Sequence, residues 1–107
     1  MEQPDDSVFR ALADPTRRAI FERLCRDGDQ TVGGLTDQAG ISQPAVSKHL
    51  AILKQAGLVR GRQDGRRTHY SAQPAALAPL ADWTTRMTAF WEQKFDALEY
   101  LVRRMDQ

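Results

Sequence analysis

The sequence is poor in the features that mark secreted, fibrous or membrane proteins. It has one cysteine, so no disulfide can form within the chain. No uncharged apolar run approaches the roughly 18 residues that span a bilayer, and the first six residues are acidic where a secretory signal peptide would be basic. Of 107 residues, 41% are hydrophobic and 27% charged, which is typical of one globular domain. We therefore expect a single domain over residues 1–107, located in the cytoplasm, with no membrane partner.

Motifs for catalysis are also missing. The sequence contains no nucleophile with a matching base, no carboxylate pair in a recognisable motif and no phosphate-binding loop, and Gly33 and Gly34 alone are typical of a helix start. Metal ligands are scarce as well. The only Cys and His residues are Cys25, His49 and His69, whereas a soft or borderline metal needs several such ligands. We predict that the protein is not an enzyme, holds no metal and needs no cofactor.

The small net charge of +1 conceals an uneven distribution along the chain. Residues 1–41 carry a net charge of −3, residues 42–73 carry +5, and residues 74–107 carry −1. A basic segment between two acidic ones indicates that the middle of the chain meets a polyanion while its flanks do not.

The first thirty residues predict two short helices. Apolar residues recur at helical spacing on both sides of a break at Asp14 and Pro15, which are typical of an N-cap residue and a first-turn proline. Gly28 marks the end of the second helix. The arginines of this helix, which lie among Glu22 and Asp27, are expected on its solvated face: Arg17, Arg18, Arg23 and Arg26.

Residues 31–56 predict a helix-turn-helix. A short helix ends at Gly40, and a second helix begins after the capping residue Ser42 and runs to Gly57. Helical spacing directs three apolar residues of the second helix towards the core: Val46, Leu50 and Leu53. The residues that project outwards are Gln43, Ser47, Lys48 and Lys54. A short polar face of this kind is what a helix needs to read the major groove of DNA.

Residues 58–72 predict a β-hairpin. The periodicity changes to alternation, and Asp64 and Gly65 are typical of a two-residue turn with positive φ at both positions. Such a turn places Gln63 opposite Arg66. In that register one face carries Arg60, Arg62, Arg67 and His69, with Arg66 beside the tip. The other face would pack on the domain, so the hairpin would present a guanidinium cluster to the outside.

Residues 74–105 predict a helical segment in which Pro79 begins a long helix that reaches about Arg104. Five of the eight aromatic residues lie in this segment. Such a helix has more apolar surface than the core of a small domain covers, so we predict a homodimer interface. Burial within one chain would explain the same residues. The expected interface, which includes part of the first helix, comprises Val8, Phe9, Leu80, Trp83, Met87, Phe90, Trp91, Leu98 and Leu101.

The predicted fold class is mainly α with a small β-hairpin wing, a winged helix-turn-helix with a long C-terminal dimerisation helix. With this arrangement the chain resembles the ArsR/SmtB family of bacterial transcriptional repressors. The resemblance covers nearly the whole chain and is carried by residues 9–18, 41–50, 53–59 and 65–70. It implies a dimeric winged helix that binds operator DNA and releases it on a signal.

The resemblance also implies roles for single residues. Gln43, Ser47 and Lys48 match the base-reading and phosphate-contacting positions of the family's recognition helix, and Pro44 matches a neighbouring contact position. The chemistry agrees, because glutamine can pair with adenine, serine and lysine can hold base edges or phosphates, and a wing arginine can enter a narrow minor groove. The predicted DNA-binding residues are Gln43, Pro44, Ser47, Lys48, Arg60, Arg62, Arg66, Arg67 and His69.

The sequence departs from the family at its metal-sensing sites. Many relatives carry a Cys-x-Cys pair where residues 31–33 here read Thr-Val-Gly, and residues 74–107 have no Cys or His for the site common in the last helix. The chain therefore resembles a metal-independent branch of the family. We expect His49 to be a hydrogen-bonded structural residue. We expect Cys25 to be a partly buried apolar residue, with redox sensing as the alternative.

Two alternatives accompany the repressor hypothesis. The chain could be a winged-helix protein-interaction module that does not read DNA sequence, in which the aromatic last helix binds a protein and the wing binds an acidic surface. The last helix could also line a pocket for an unknown small-molecule effector, although dimer packing explains the same residues with fewer assumptions.

Overall fold

A computed structural model describes residues 4–106 of the chain. The elements, in chain order, are α1 (Pro4–Ala13), α2 (Pro15–Asp27), β1 (Gln30–Thr31), α3 (Val32–Ala39), α4 (Gln43–Gln55), β2 (Val59–Asp64), β3 (Arg67–Ala72), a short 3-10 helix (Pro74–Leu77) and α5 (Ala78–Met105). Helices α3 and α4 form the helix-turn-helix, and β2, its turn and β3 form the wing. The predicted fold class, a winged helix-turn-helix with a long C-terminal helix, is confirmed.

The corner between α1 and α2 is built from the predicted cap and from two arginines. Asp14 caps α2, since its Oδ2 accepts a hydrogen bond from the backbone N–H of Arg17 at 2.9 Å. That hydrogen bond holds the pKa of the Asp14 carboxyl below its usual value. The expected solvated surface is incomplete as a description, because Arg18 is exposed and Arg17 is half-buried, yet both also make structural contacts. Both guanidinium groups reach back and donate to the last carbonyls of α1, which have no partner within that helix.

The hydrophobic core lies where α1, α2, α3 and α4 meet the base of the wing. Its buried members are Val8, Ala11, Ile20, Phe21, Leu24, Leu35, Val46, Leu50, Leu53, Leu58 and Val59. The side chain of Val8 is therefore covered within its own protomer, with 3% of its surface exposed. The prediction that Val8 faces a second protomer needs correction, because α1 buries this residue in the core of its own protomer and turns Phe9 towards α5.

The sheet has three antiparallel strands in the order β1-β3-β2. The two-residue strand β1 pairs Gln30 with Tyr70 and Thr31 with His69, so β3 is the central strand. The base of the sheet packs on the helices through one face, since Val59, Tyr70 and Ala72 all contact the core. The opposite face of the wing is turned away from the helices.

The wing register differs from the predicted one by two residues. Gly65 and Arg66 form the turn, and Asp64 pairs with Arg67. Gly65 has a φ of 65°, and none of the described residues other than glycine has a positive φ, so this turn needs a left-handed residue only at its first position. A shift of two residues leaves each side chain on its original face. The cationic face is therefore kept, and it carries Arg60, Arg62, Arg67 and His69 together with Asp64.

Helix α5 begins against the domain and then leaves it. Its 28 residues span about 42 Å. At its start the Trp83 ring meets the Phe9 ring of α1 edge-on, with 5.6 Å between centroids. Beyond Met87, the described residues of α5 are all exposed. No helix within residues 4–106 is long and apolar enough to cross a membrane.

Candidate nucleic-acid interface

The start of α4 is held in a defined position by the residues of the turn before it. Gly40 adopts the left-handed conformation that ends α3, with a φ of 70°. Ser42 then caps α4, and its Oγ accepts a hydrogen bond from the backbone N–H of Ala45 at 3.3 Å. Pro44 lies in the first turn, where its missing N–H costs nothing. These local features match the sequence prediction.

One face of α4 anchors the helix and the other is open. Val46, Leu50 and Leu53 are completely buried in the core. The predicted DNA-contacting residues of this helix are all exposed: Gln43, Pro44, Ser47 and Lys48. Helix α4 contains no acidic residue, and Lys48 and Lys54 make its exposed surface cationic. The helix thus offers amide, hydroxyl and ammonium groups, which are the groups that contact base edges and phosphates.

The wing supplies most of the positive charge. Its exposed arginines are Arg60, Arg62, Arg66 and Arg67. Within the part of the chain that the structure describes, none of these four guanidinium groups forms an ion pair with a carboxylate; the arginines that do include Arg26 and Arg103, which lie outside the wing. The four wing guanidinium groups therefore remain available to an external anion.

The wing and the helix-turn-helix meet at a cleft of about 500 Å³. Gln43 from the start of α4 lines it on one side, and Arg66 and Arg67 line it on the other. The structure thus brings together side chains that lie more than twenty residues apart in the sequence. Residues that the sequence interpretation did not assign to the site also line it: Thr31, Val32, Gly33, Gly34, Thr68 and Tyr70.

His69 differs from the other predicted DNA-binding residues because it is half-buried. Its Nε2 lies 3.8 Å from Asp64 Oδ2. It pairs across the wing with Arg62 and across the other side of the sheet with Thr31. Asp64 is the single acidic residue in the sequence of segment 42–73, and the strand register places it on the cationic face of the wing.

The two remaining candidate ligands do not behave as predicted. Cys25 is exposed rather than partly buried, because the core-facing stripe of α2 is Ile20, Phe21 and Leu24. His49 is half-buried, but its Nδ1 is buried without a hydrogen-bond partner, so the expected hydrogen bond is absent there. Within residues 4–106, no three His, Cys, Asp or Glu side chains come together as metal ligands would. Metal independence stays a prediction.

A second surface, formed by α5, is apolar. Successive side chains of a helix are rotated by about 100° around its axis. With that rotation, ten apolar side chains of α5 project within an arc of about 140°. These residues, which we call the apolar stripe, are Leu80, Trp83, Met87, Phe90, Trp91, Phe95, Leu98, Leu101, Val102 and Met105. Eight of them are exposed, and Leu80 and Met87 are half-buried. Tyr100 lies alone about 150° from the middle of the stripe. An exposed apolar patch of this extent marks an interaction surface.

A helix-turn-helix with an open polar helix, followed by an arginine-bearing wing, defines a winged-helix DNA-binding protein. The family model described as "Bacterial regulatory protein, arsR family" matches residues 14–60. The chain is 42% identical over 97 residues to the HTH-type transcriptional regulator Rv2034 of Mycobacterium tuberculosis, and the match covers 91% of this chain and 87% of that protein. It is 38% identical over 78 residues to the transcriptional repressor SdpR of Bacillus subtilis, covering 73% of this chain and 86% of the repressor.

The solved structures agree with the sequence relatives. The fold superposes on an ArsR-like transcriptional regulator from Rhodococcus sp. RHA1 with a TM-score of 0.74 and 34% sequence identity, covering 90% of each chain. The chain therefore belongs to the ArsR family of bacterial regulatory proteins. Its family and relatives are DNA-binding transcriptional regulators and not enzymes, which confirms both the resemblance and the prediction that the protein is not an enzyme.

Proposed function

We propose that the protein is a homodimeric repressor that acts in the cytoplasm and binds an inverted-repeat operator. Residues 31–56 read the DNA, residues 58–72 grip its flanks and residues 74–105 hold the two protomers together. The observation that carries the proposal is the shared cleft, where Gln43 of α4 and the wing arginines Arg66 and Arg67 face the same space. A signal other than a metal would release the repressor from its operator.

The contacts divide into two kinds. Gln43 lies at the exposed N-terminal end of α4, which is the part of a recognition helix that reaches base edges. Its amide can pair with adenine through two hydrogen bonds. Ser47 and Lys48 lie one turn further along the open face and suit base edges or phosphates. The wing arginines suit phosphates and the minor groove, so they supply affinity more than sequence preference.

The apolar stripe of α5 supports the dimer. Within the protomer, α5 packs chiefly against α1 and the short 3-10 helix, and its described residues beyond Met87 are all exposed. An apolar stripe is complementary to itself. The same helix of a second protomer would therefore cover it across a twofold axis. That symmetry would place two α4 helices in successive major grooves, about one helical turn apart.

Sedimentation of matched variants tests the dimer. Trp91 lies in the apolar stripe and Tyr100 lies on the opposite side of α5, yet 61% and 60% of their surfaces are exposed. We expect Trp91→Glu to lower the sedimenting mass to that of a monomer at micromolar concentration, because it places a charge in the interface. Tyr100→Glu should leave the wild-type mass unchanged. A wild-type monomer, or equal effects of both variants, would contradict the proposal.

Binding to a fluorescein-labelled duplex tests the DNA-binding role. Anisotropy titrations at several salt concentrations should give an association constant that falls steeply with salt, because arginines and lysines displace counterions from phosphates. A double-stranded DNA titration with no binding at low salt would instead favour a protein-interaction module.

A further inference from the structure

His69 lies at the centre of the cationic face of the wing. It belongs to the central strand β3, and 28% of its side chain is exposed. The helices cover the face of the sheet that carries Tyr70, so the neighbouring residue His69 points to the other face. Its imidazole is therefore on the same face of the wing as Arg60, Arg62 and Arg67, and it does not line the cleft that Gln43 shares with Arg66 and Arg67.

The charged groups that face His69 are mostly cations. Arg62 lies directly opposite on β2, and Arg67 lies two residues earlier on the same strand and face. Arg60 is the diagonal neighbour on β2. The carboxylate of Asp64 lies 3.8 Å from Nε2. On its other side His69 pairs with Thr31 of β1, which carries no charge.

DNA binding would reverse the sign of the electrostatic potential around His69. In the free protein, three guanidinium groups and the Asp64 carboxylate lie around the imidazole. Phosphates that bind the guanidinium groups neutralise their charge and add a strong negative potential of their own. A proton on His69 is therefore favoured in the complex, where the imidazolium can also donate a hydrogen bond to a phosphate oxygen.

We propose that His69 couples DNA binding to the uptake of a proton, so that the repressor binds DNA more tightly at acidic than at alkaline pH. The inference rests on the proposed contact between the wing and DNA. Imidazole is the side chain that ordinarily changes charge between pH 5 and 8. Because linkage is reciprocal, a phosphate that favours the proton is itself held more tightly by the protonated wing.

Anisotropy titrations at two pH values test the coupling. The ligand is a fluorescein-labelled duplex of mixed sequence at constant ionic strength, since phosphate contacts do not depend on sequence. If each protomer takes up one proton, we expect Kd to rise by up to about tenfold per protomer for each pH unit between about pH 6 and pH 8. His69→Gln should remove most of this pH dependence.

His49, the other histidine of the chain, provides the matched control. His49→Gln should keep the pH dependence of the wild type, because His49 lies on α4 near Asp14 and is not among the residues that we assign to DNA. Calorimetric titrations in buffers of different ionisation enthalpy count protons directly, and they need only the wild type and His69→Gln. Proton uptake on DNA binding that is lost in His69→Gln supports the proposal. The same uptake in both proteins, or a wild-type Kd that does not change with pH, overturns it. A failure to bind DNA at every pH would overturn the proposed function itself.

Discussion

Arg17 is expected to be the residue that fastens α1 to the rest of the domain. Its Nε donates to the carbonyl of Ala11 at 2.8 Å in a partly buried position, and its second guanidinium nitrogen donates to the carbonyl of Arg10 at 3.1 Å at the surface. Both carbonyls are in the last turn of α1, where helix geometry leaves them without partners.

The expected cost of Arg17→Ala follows from these two contacts. A partly buried hydrogen bond to a charged group contributes about 1.5 kcal/mol, and an exposed one contributes about 0.5 kcal/mol. We therefore expect the free energy of unfolding to fall by about 2 kcal/mol, or the melting temperature by roughly 8 °C for a domain of this size. Arg18 makes a single exposed hydrogen bond, to the carbonyl of Leu12 at 3.0 Å, so Arg18→Ala should cost only about 0.5 kcal/mol.

Urea unfolding followed by circular dichroism measures both changes. All proteins must be compared at one concentration, because dimerisation makes the apparent stability depend on concentration. Equal small effects of Arg17→Ala and Arg18→Ala would show that the number and burial of these hydrogen bonds do not determine the stability of the corner.

Three further predictions concern single side chains. Gln43→Ala should relax the preference for one base pair, by about 1–3 kcal/mol, more than it weakens nonspecific binding; equal weakening on all sequences would show that Gln43 does not read a base. Arg67→Ala should lower the slope of log K against log salt by about 0.9 per protomer, and an unchanged slope would exclude a phosphate contact. The pKa of the Asp14 carboxyl is lowered in the folded protein, so the ionised cap stabilises the fold at pH values above the ordinary carboxyl pKa. This stabilisation is lost as the pH falls through the lowered pKa. Asp14→Asn keeps a capping oxygen at every pH, so thermal unfolding between about pH 2 and pH 6 should show a weaker loss of stability in acid than the wild type, and identical curves would contradict this role.

The features that could be predicted from sequence are those determined by neighbouring residues. Asp14, Gly40 and Ser42 define helix ends through their own side chains or backbone conformations, and they do so in the structure. The inward and outward faces of α4 follow from helical periodicity, so the open residues of the recognition helix were also predictable.

The features that escaped prediction depend on contacts between elements. A short extended piece before α3 was predictable, but its pairing with β3 as strand β1 was not, because two residues are too few for an alternating pattern. Arg17 and Arg18 have the sequence signature of a solvated helix, and their role depends on the end of α1 lying beside them. The shift in the wing register reflects a turn in which Gly65 is first and not second, a choice that the pair Asp64 and Gly65 leaves open.

The most direct test of the account is selection of binding sites from a random duplex pool at near-physiological salt, with the purified protein and no added ligand. A homodimer that places α4 in two successive major grooves should enrich an inverted repeat whose half-sites are centred about one helical turn apart. Enrichment of no motif, with weak and salt-sensitive retention of all sequences, would contradict sequence-specific repression by a dimer and would favour a winged-helix module that binds a protein partner.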